Sequence, residues 1–417
     1  MVTRSTRPYI RDECFFIWFG GFQMSQTAYI NANIYTGEDD QIHANNYLVV
    51  DDESGKITKI GSGEIHQVDK TVDLAGKFVI PGLINCHTHV VMDPQTAEGG
   101  TDNNEVAAVV QALSNLHDLL KSGVTYIREC GSSYDVDIYL SKLIEQGKVT
   151  KTPEILPSGR PYSMTGGHGD MPNFGHLVDS PDEMRKAVRQ GIKRGAKTIK
   201  VMATGGVMTE NDFMDDPQLS EEEIHVAVEE AHHKGLTVAA HAEGNPGIMN
   251  AIKAGVDSIE HGFYVNDEEI KLMLEKGTYL TPTIVGAWAF IEYAPGKIPD
   301  WEMNKIAAAW KDLRGNITNA KNAGVPITLG TDAGTPFNDF TMTPEELPLL
   351  VGQGFTNHEA LQTSYNSAKL MKIDDEYGSL AEGKYADFLV LDENPLEKIE
   401  AVVQKDKAVY KKGRREY

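Results

Sequence analysis

From about residue 77 onward, strand-like apolar runs alternate with helix-period runs. This alternation restricts the fold more than any other feature of the chain. The strand readings are Lys77–Ile84 running into Asn85–His89, then Val124–Arg128, Glu154–Gly159, Thr198–Ala203, Thr237–His241, Ser258–His261, Tyr279–Thr283 and Pro326–Asp332. Between them, Val106, Val109, Val110, Leu113, Leu116, Leu119 and Leu120 recur at helical spacing across Glu105–Ser122, and Gly123 ends that run. Ser180-Pro181 opens a second helix, and Ser220 with Glu223 spells a capping box at the start of a third. Ile248–Ala254, Asp267–Lys276 and a long helical stretch after Thr283 follow, and helices over Pro344–Gln353 and Asn357–Met371 end the series. Such alternation implies parallel strands joined by right-handed crossovers. Eight units over roughly 290 residues suit an α/β chain folded as a (β/α)8 TIM barrel.

The chain ends read differently. Ala28–Tyr35, Tyr47–Val50 and Lys56–Gly61 are short strands, the last two a hairpin around Asp51-Asp52-Glu53-Ser54-Gly55. After Gly378, short strands return at Phe388–Leu391, Ala401–Val403 and Ala408–Tyr410. The expected organisation is a small β-sandwich domain built from both chain ends (24–80 and 375–417), with the catalytic barrel (81–374) inserted between.

Residues 1–23 stand apart. Arg4, Arg7 and Arg11 precede an apolar run from Cys14 to Phe22, an arrangement that resembles a signal peptide. Asp12 and Glu13 interrupt that pattern, and no small-residue cleavage site follows. The segment therefore reads first as an upstream extension with Met24 the natural start, and second as a secretion signal. Cys14, Cys86 and Cys130 form no disulfide framework, which suits a cytoplasmic, reducing setting. A net charge of -22 argues against a nucleic-acid partner. The apolar run is too short to span a bilayer, so no membrane partner is expected either.

Active sites of such barrels lie at the C-terminal ends of the strands. Here the strands end in His87 and His89, Lys200, His241, His261 and Asp332. His87 and His89 share one strand face, their Cα atoms roughly 6–7 Å apart, a spacing at which two imidazoles reach one ion. Any one of these residues reads as an ordinary hydrogen-bonded strand end or turn cap. Together, six ionisable groups at one mouth point to a metal centre. Cys86, beside the ligand positions, faces the other way and reads as packing.

This set resembles the amidohydrolase superfamily. The stretch Gly378-Ser379-Leu380-Ala381-Glu382-Gly383-Lys384-Tyr385-Ala386-Asp387 is similar to a recurrent segment of that family. Thr165–Gly169, Ala203–Val207 and Ser258–Gly262 resemble its imidazolonepropionase-related dipeptidases and amidases, a prolidase-like group. The resemblance implies two divalent metal ions, zinc foremost. His87, His89 and Asp332 would hold one and His241 and His261 the other, with carbamylated Lys200 bridging them. It implies hydrolysis of an amide bond in a peptide or N-acyl amino acid by a metal-bridging hydroxide. Asp332 and His168 would be catalytic, and His168, Tyr264 and Arg160 would contact substrate. Homo-oligomers are common among such relatives, so self-association is a further expectation.

Two alternatives accompany this reading. One is a hydrolase or deaminase of a cyclic amide of the imidazolone type, against which Lys200 argues. The other is a barrel whose catalysis has decayed, against which the full ligand set argues. Glu129 and Glu243 depart from the residues common in relatives; neither is expected to touch a ligand. Gly286–Pro299 reads as a long loop after the seventh strand, and Trp288, Phe290 and Tyr293 are candidates to wall the pocket.

Overall fold

The computed structural model describes residues 25–65, 67–96, 104–208 and 210–417, so the reading of residues 1–23 and of Met24 lies outside them. Strands β1 (Gln26–Ile34), β2 (His43–Asp51), β3 (Ile57–Ser62), β4 (Lys70–Asp73) and β5 (Phe78–Pro81) come first. Then follow β6 (Leu83–Thr88), α1 (Glu105–Ser122), β7 (Val124–Glu129), α2 (Val136–Glu145), β8 (Glu154–Leu156) and the short β9 (Tyr162–Ser163) and β10 (His176–Leu177). Next are α3 (Pro181–Arg194), β11 (Thr198–Met202), α4 (Glu221–His232), β12 (Thr237–Ala242), α5 (Asn245–Ala254), β13 (Ser258–His261), α6 (Asp267–Lys276) and β14 (Tyr279–Thr281). The chain ends with α7 (Ile284–Tyr293), α8 (Asp300–Ala323), α9 (Glu346–Val351), α10 (Asn357–Leu370), β15 (Phe388–Leu391), β16 (Ala408–Lys411) and β17 (Arg414–Arg415).

The helix boundaries follow from local chemistry. Asn104 caps α1 by accepting the amides of Val106 and Ala107, and Gly123 ends it in a left-handed turn at φ 107°. Leu116, Leu119 and Leu120 of α1 are fully buried. Truncating one of them to alanine would cost about 2–5 kcal/mol. Ser220 and Glu223 form the expected capping box of α4, and Asn266 with Glu269 forms another on α6.

Strands β11, β12, β13 and β14 pair in parallel and in sequence order, with Lys200 opposite Ala239, Met202 opposite His241 and Ala242 opposite His261. Strands β6, β7 and β8 form a second parallel arc. The expected eighth strand is not a ladder. Residues 326–333 make isolated bridges, Ile327 with Leu280 and Ala333 with Thr88. Single bonds such as Cys86 N–H to Leu329 O, 2.8 Å, stand where a ladder would. Pro326 has no amide proton to give, and Asp332 turns left-handed, so the extended run is interrupted at both ends. The barrel is therefore an α/β ring without continuous ladder closure.

The small unit is one eight-stranded sheet, order β17-β16-β15-β5-β1-β2-β3 with β4 on β1, instead of the two stacked sheets of a sandwich. Ile57 N–H bonds Lys384 O at 2.8 Å, so the β3 end of the sheet meets the segment leading into β15. Tyr29, Leu48, Val79, Phe388 and Tyr410 pack inside this curl. Two further sequence readings change. Ile399–Val403 is a 3-10 turn, not a strand. The supposed loop after the seventh strand is mostly helix α7, which is apolar but for Glu292 near its end and largely buried, so its sequence carries no polar stripe to announce it. Among the described residues no helix is long and apolar enough to cross a membrane.

Candidate active site

Alternation along β6 turns His87 into the barrel and Cys86 away from it, where the Cys86 thiol donates to Thr328 Oγ1 at 3.3 Å. His87 Nδ1 lies 2.8 Å from Glu260 Oε2, and His89 Nδ1 donates to Gly131 O at 3.0 Å. With each Nδ1 engaged, both Nε2 atoms face Asp332 Oδ1, at 3.4 and 3.1 Å. Asp332 sits at φ 59°, a conformation uncommon outside glycine. Asn338 Nδ2 and Thr335 Oγ1 hold that backbone by donating to Asp332 O, each at 2.8 Å. Gly330 lets this segment close on β6: a Cβ there would lie 3.0 Å from His87 Cβ and 2.3 Å from Thr281 Cγ2.

Behind His87 lies a buried charge network. Arg128, fully buried, donates to Glu260 Oε1 at 2.6 Å, to Ser258 Oγ at 3.0 Å and to Cys86 O at 2.6 Å. Burial, the largest influence, lowers the guanidinium pKa, but the charge and hydrogen bond of Glu260 together with the neighbouring Cys130 and Cys86 outweigh it and the net shift is upward. Arg128 thereby fixes the Glu260 carboxylate against His87 Nδ1, and that contact orients the ring.

A second cluster stands on the neighbouring strands. His241 Nε2 donates to Gly205 O at 3.0 Å, and His261 Nδ1 meets Thr283 Oγ1 at 2.8 Å. Their ring centroids are 4.8 Å apart, and that of His261 is 5.0 Å from His87. Lys200 lines the same cavity as both clusters, 2% exposed, with Nζ 3.4 Å from His87 Nε2. Glu243 is the surprise. Its buried carboxylate comes within 4.8 Å of the His241 and His261 donor atoms, close to residues it was not expected to approach.

The donor chemistry fits divalent ions. His87, His89 and Asp332 make one group and His241, Glu243 and His261 another, each with its ligand atoms within 4.8 Å of one another. Burial, joined by neighbouring cationic and imidazole groups, pushes the pKa of His87, His241 and His261 well down. Neutral imidazole is the form that binds metal. Burial, followed by the charges of Asp332 and Asp212, pushes the Glu243 carboxyl well up, and its Oε2 has no hydrogen-bond partner.

The other expected site residues fall in different places. His168 lines the cavity, stacks on His241 at 4.2 Å and lies 3.3 Å from Asp212 through Nδ1. Its ring needs Gly206 beneath it, since a Cβ there would sit 2.5 Å from His168 Cε1. Tyr264 follows His261 and is half-buried but is not among the cavity-lining residues. Arg160 is not either: its guanidinium meets His176 Nδ1 at 2.9 Å. Of the aromatics after the seventh strand, Phe290 lines the cavity, whereas Trp288 packs on the exposed Tyr293. The rest of the wall is apolar and methionine-rich, with Met92, Met171, Met202, Phe174 and Ile306. Sequence reasoning missed Arg128, Glu260 and Asp212. A charged residue inside an apolar strand run was the available signal for the first two.

Comparison with known proteins agrees with this geometry. The sequence family described as "Amidohydrolase family" matches residues 78–415. Ochratoxinase of Aspergillus niger is 34% identical over 362 residues, covering 79% of this chain and 73% of that one. A crystal structure of a Xaa-Pro dipeptidase with bound methionine in its active site superposes with a TM-score of 0.85 at 32% identity, covering 94% of this chain and 99% of that one. A prolidase complexed with N-methylphosphonate-L-proline gives 0.86 at 29% identity, with 94% and 99% coverage.

Proposed function

The chain belongs to the amidohydrolase family, and from that premise we propose that this metal-dependent amide hydrolase uses two divalent ions to cleave a peptide or N-acyl amino acid. The observation that carries the reading is the pair of donor groups in one cavity that Lys200 also lines. His87, His89 and Asp332 would hold one ion, His241 and His261 the other. Lys200 would serve both as a carbamate, formed when Nζ adds to carbon dioxide and releases a proton. An anionic oxygen donor suits divalent ions, whereas a buried ammonium does not. Bound there, such ions lower the pKa of a coordinated water and polarise the scissile carbonyl.

The remaining chemistry belongs to the chain. Asp332 Oδ1 takes the proton of the attacking water and delivers it to the leaving nitrogen as the C–N bond breaks. The left-handed turn and the Asn338 and Thr335 bonds keep that oxygen in place. On the cavity wall, Met92, Met171 and Phe174 suit a substrate with an apolar side chain. His168 would bind a substrate carbonyl or carboxylate through Nε2, its Nδ1 being turned to Asp212. Tyr264 would assist from the following loop.

A panel of dipeptides and N-acyl amino acids, assayed with zinc- and manganese-loaded protein, tests this directly. Carboxylate-bearing amides with apolar side chains should turn over fastest. His168→Ala and Tyr264→Ala should raise KM for these by about tenfold and leave the matching carboxamides nearly unchanged. An equal rise for both would remove the carboxylate clamp, and failure of every amide would remove the substrate class.

A further inference from the structure

We propose that Glu243 is a third donor to the His241–His261 half-site, so that this half-site holds its divalent ion with side chains of its own. The proposal rests on the two-ion reading and goes beyond it, because it frees the second ion from dependence on Lys200.

Strand geometry sets it up. His241 and Glu243 flank Ala242 at the end of β12, and residues two apart share a strand face. Ala242 in turn pairs with His261 across the ladder. The three donor atoms lie within 4.8 Å of one another. Donors about 2.0–2.2 Å from one ion sit no more than about 4.4 Å apart, so a small side-chain adjustment brings all three onto one centre. Glu243 is only 4% exposed, and its Oε2 has no hydrogen-bond partner. A buried carboxylate oxygen left unpaired costs several kcal/mol, which a bound cation would offset. The Thr204 hydroxyl close by already accepts Glu243's own amide at 3.1 Å. Two imidazoles and a carboxylate are a donor set that zinc, manganese and iron accept. Each half-site would then carry the same formal kit: two histidines and one carboxylate.

Metal binding tests this without any activity measurement. The His87→Ala/His89→Ala protein lacks two donors of the other half-site. As apo protein it would be titrated with Zn2+ by calorimetry and with Co2+ by visible absorption, after thermal melts establish that each variant is folded. It should bind about one ion, and adding Lys200→Ala should change that Kd by no more than about threefold, whereas the isosteric Glu243→Gln should weaken it at least about tenfold and alter the Co2+ spectrum. Glu243→Asp should recover part of the affinity. An unchanged Kd in Glu243→Gln, loss of the ion with Lys200→Ala, or no ion at all in the double-histidine background would each overturn the proposal. Wild-type stoichiometry checks the underlying reading separately. One ion there, still weakened about tenfold by Glu243→Gln, would refute two ions and keep Glu243 as a donor.

Discussion

His87 and His89 leave one strand two residues apart and meet Asp332 across the ring, whereas His241 and His261 leave neighbouring strands and meet Glu243. The supports differ as well. His87 rests on a buried ion pair, Glu260 with Arg128, and His89 on the Gly131 carbonyl. The second pair rests on neutral partners, the Gly205 carbonyl and the Thr283 hydroxyl. Thr283 in turn begins α7, whose first amides, Ile284 and Val285, donate to the Glu346 carboxylate at 2.9 and 2.7 Å. One half-site is thus braced by charge and the other by dipoles and a helix start. Deleting a brace should therefore cost more in the first.

The largest expected effect falls on chemistry. Asp332→Asn should lower kcat by about 10²–10⁴-fold; near-normal turnover on the preferred substrate would take Asp332 out of proton transfer. Next is the charged brace. Arg128→Met leaves Glu260 buried without its cation and should cost about 3–5 kcal/mol in a denaturant melt. Thr283→Val, the matching cut in the other half-site, should cost only about 1 kcal/mol. Equal losses would erase the contrast between the two supports. Metal content comes third. Lys200→Ala should cost the ion of the His87–His89–Asp332 half-site and reduce the bound metal from about two ions per chain to about one, measured by mass spectrometry of the purified protein. A full complement in that variant would refute the bridging role.

The smallest effect is a pH dependence beside the second half-site. Burial, opposed by the Val285 and Ile284 amides, holds the Glu346 carboxyl up at about 8, against a usual 4.5. The folded state then binds this proton more tightly than the unfolded one. The stability it contributes is full below pH 4.5 and is lost as pH rises through about 8. Melting temperatures recorded from about pH 6.5 to 9 should therefore fall for the wild type relative to Glu346→Gln. Parallel curves would show that Glu346 does not titrate in that window.

Much of the ring was legible because its signals are local. Strand and helix periods, the Ser220–Glu223 box and the glycine stops need only neighbours in sequence to be read. The strand-end histidines were legible for the same reason, since a barrel gathers the ends of its strands whatever the loops do. Helix α7 was not, because a helix that is apolar almost throughout has no polar face and no period to show. The stretch 326–333 read as a strand on composition, yet its pairing was set by how closely Gly330 approaches His87.

The order of elements, the apolar faces and the six residues at the strand ends therefore follow from the sequence itself, through spacing and alternation. The bracing of those residues does not. Glu260 reaches His87 across 173 positions and Arg128 reaches Glu260 across 132, and only ring closure brings such partners within bonding distance. The same holds for Glu243. Its place beside His241 is visible in the sequence, but its approach to His261 and the lack of a side-chain or backbone partner for its Oε2 are decided by the register of β12 on β13.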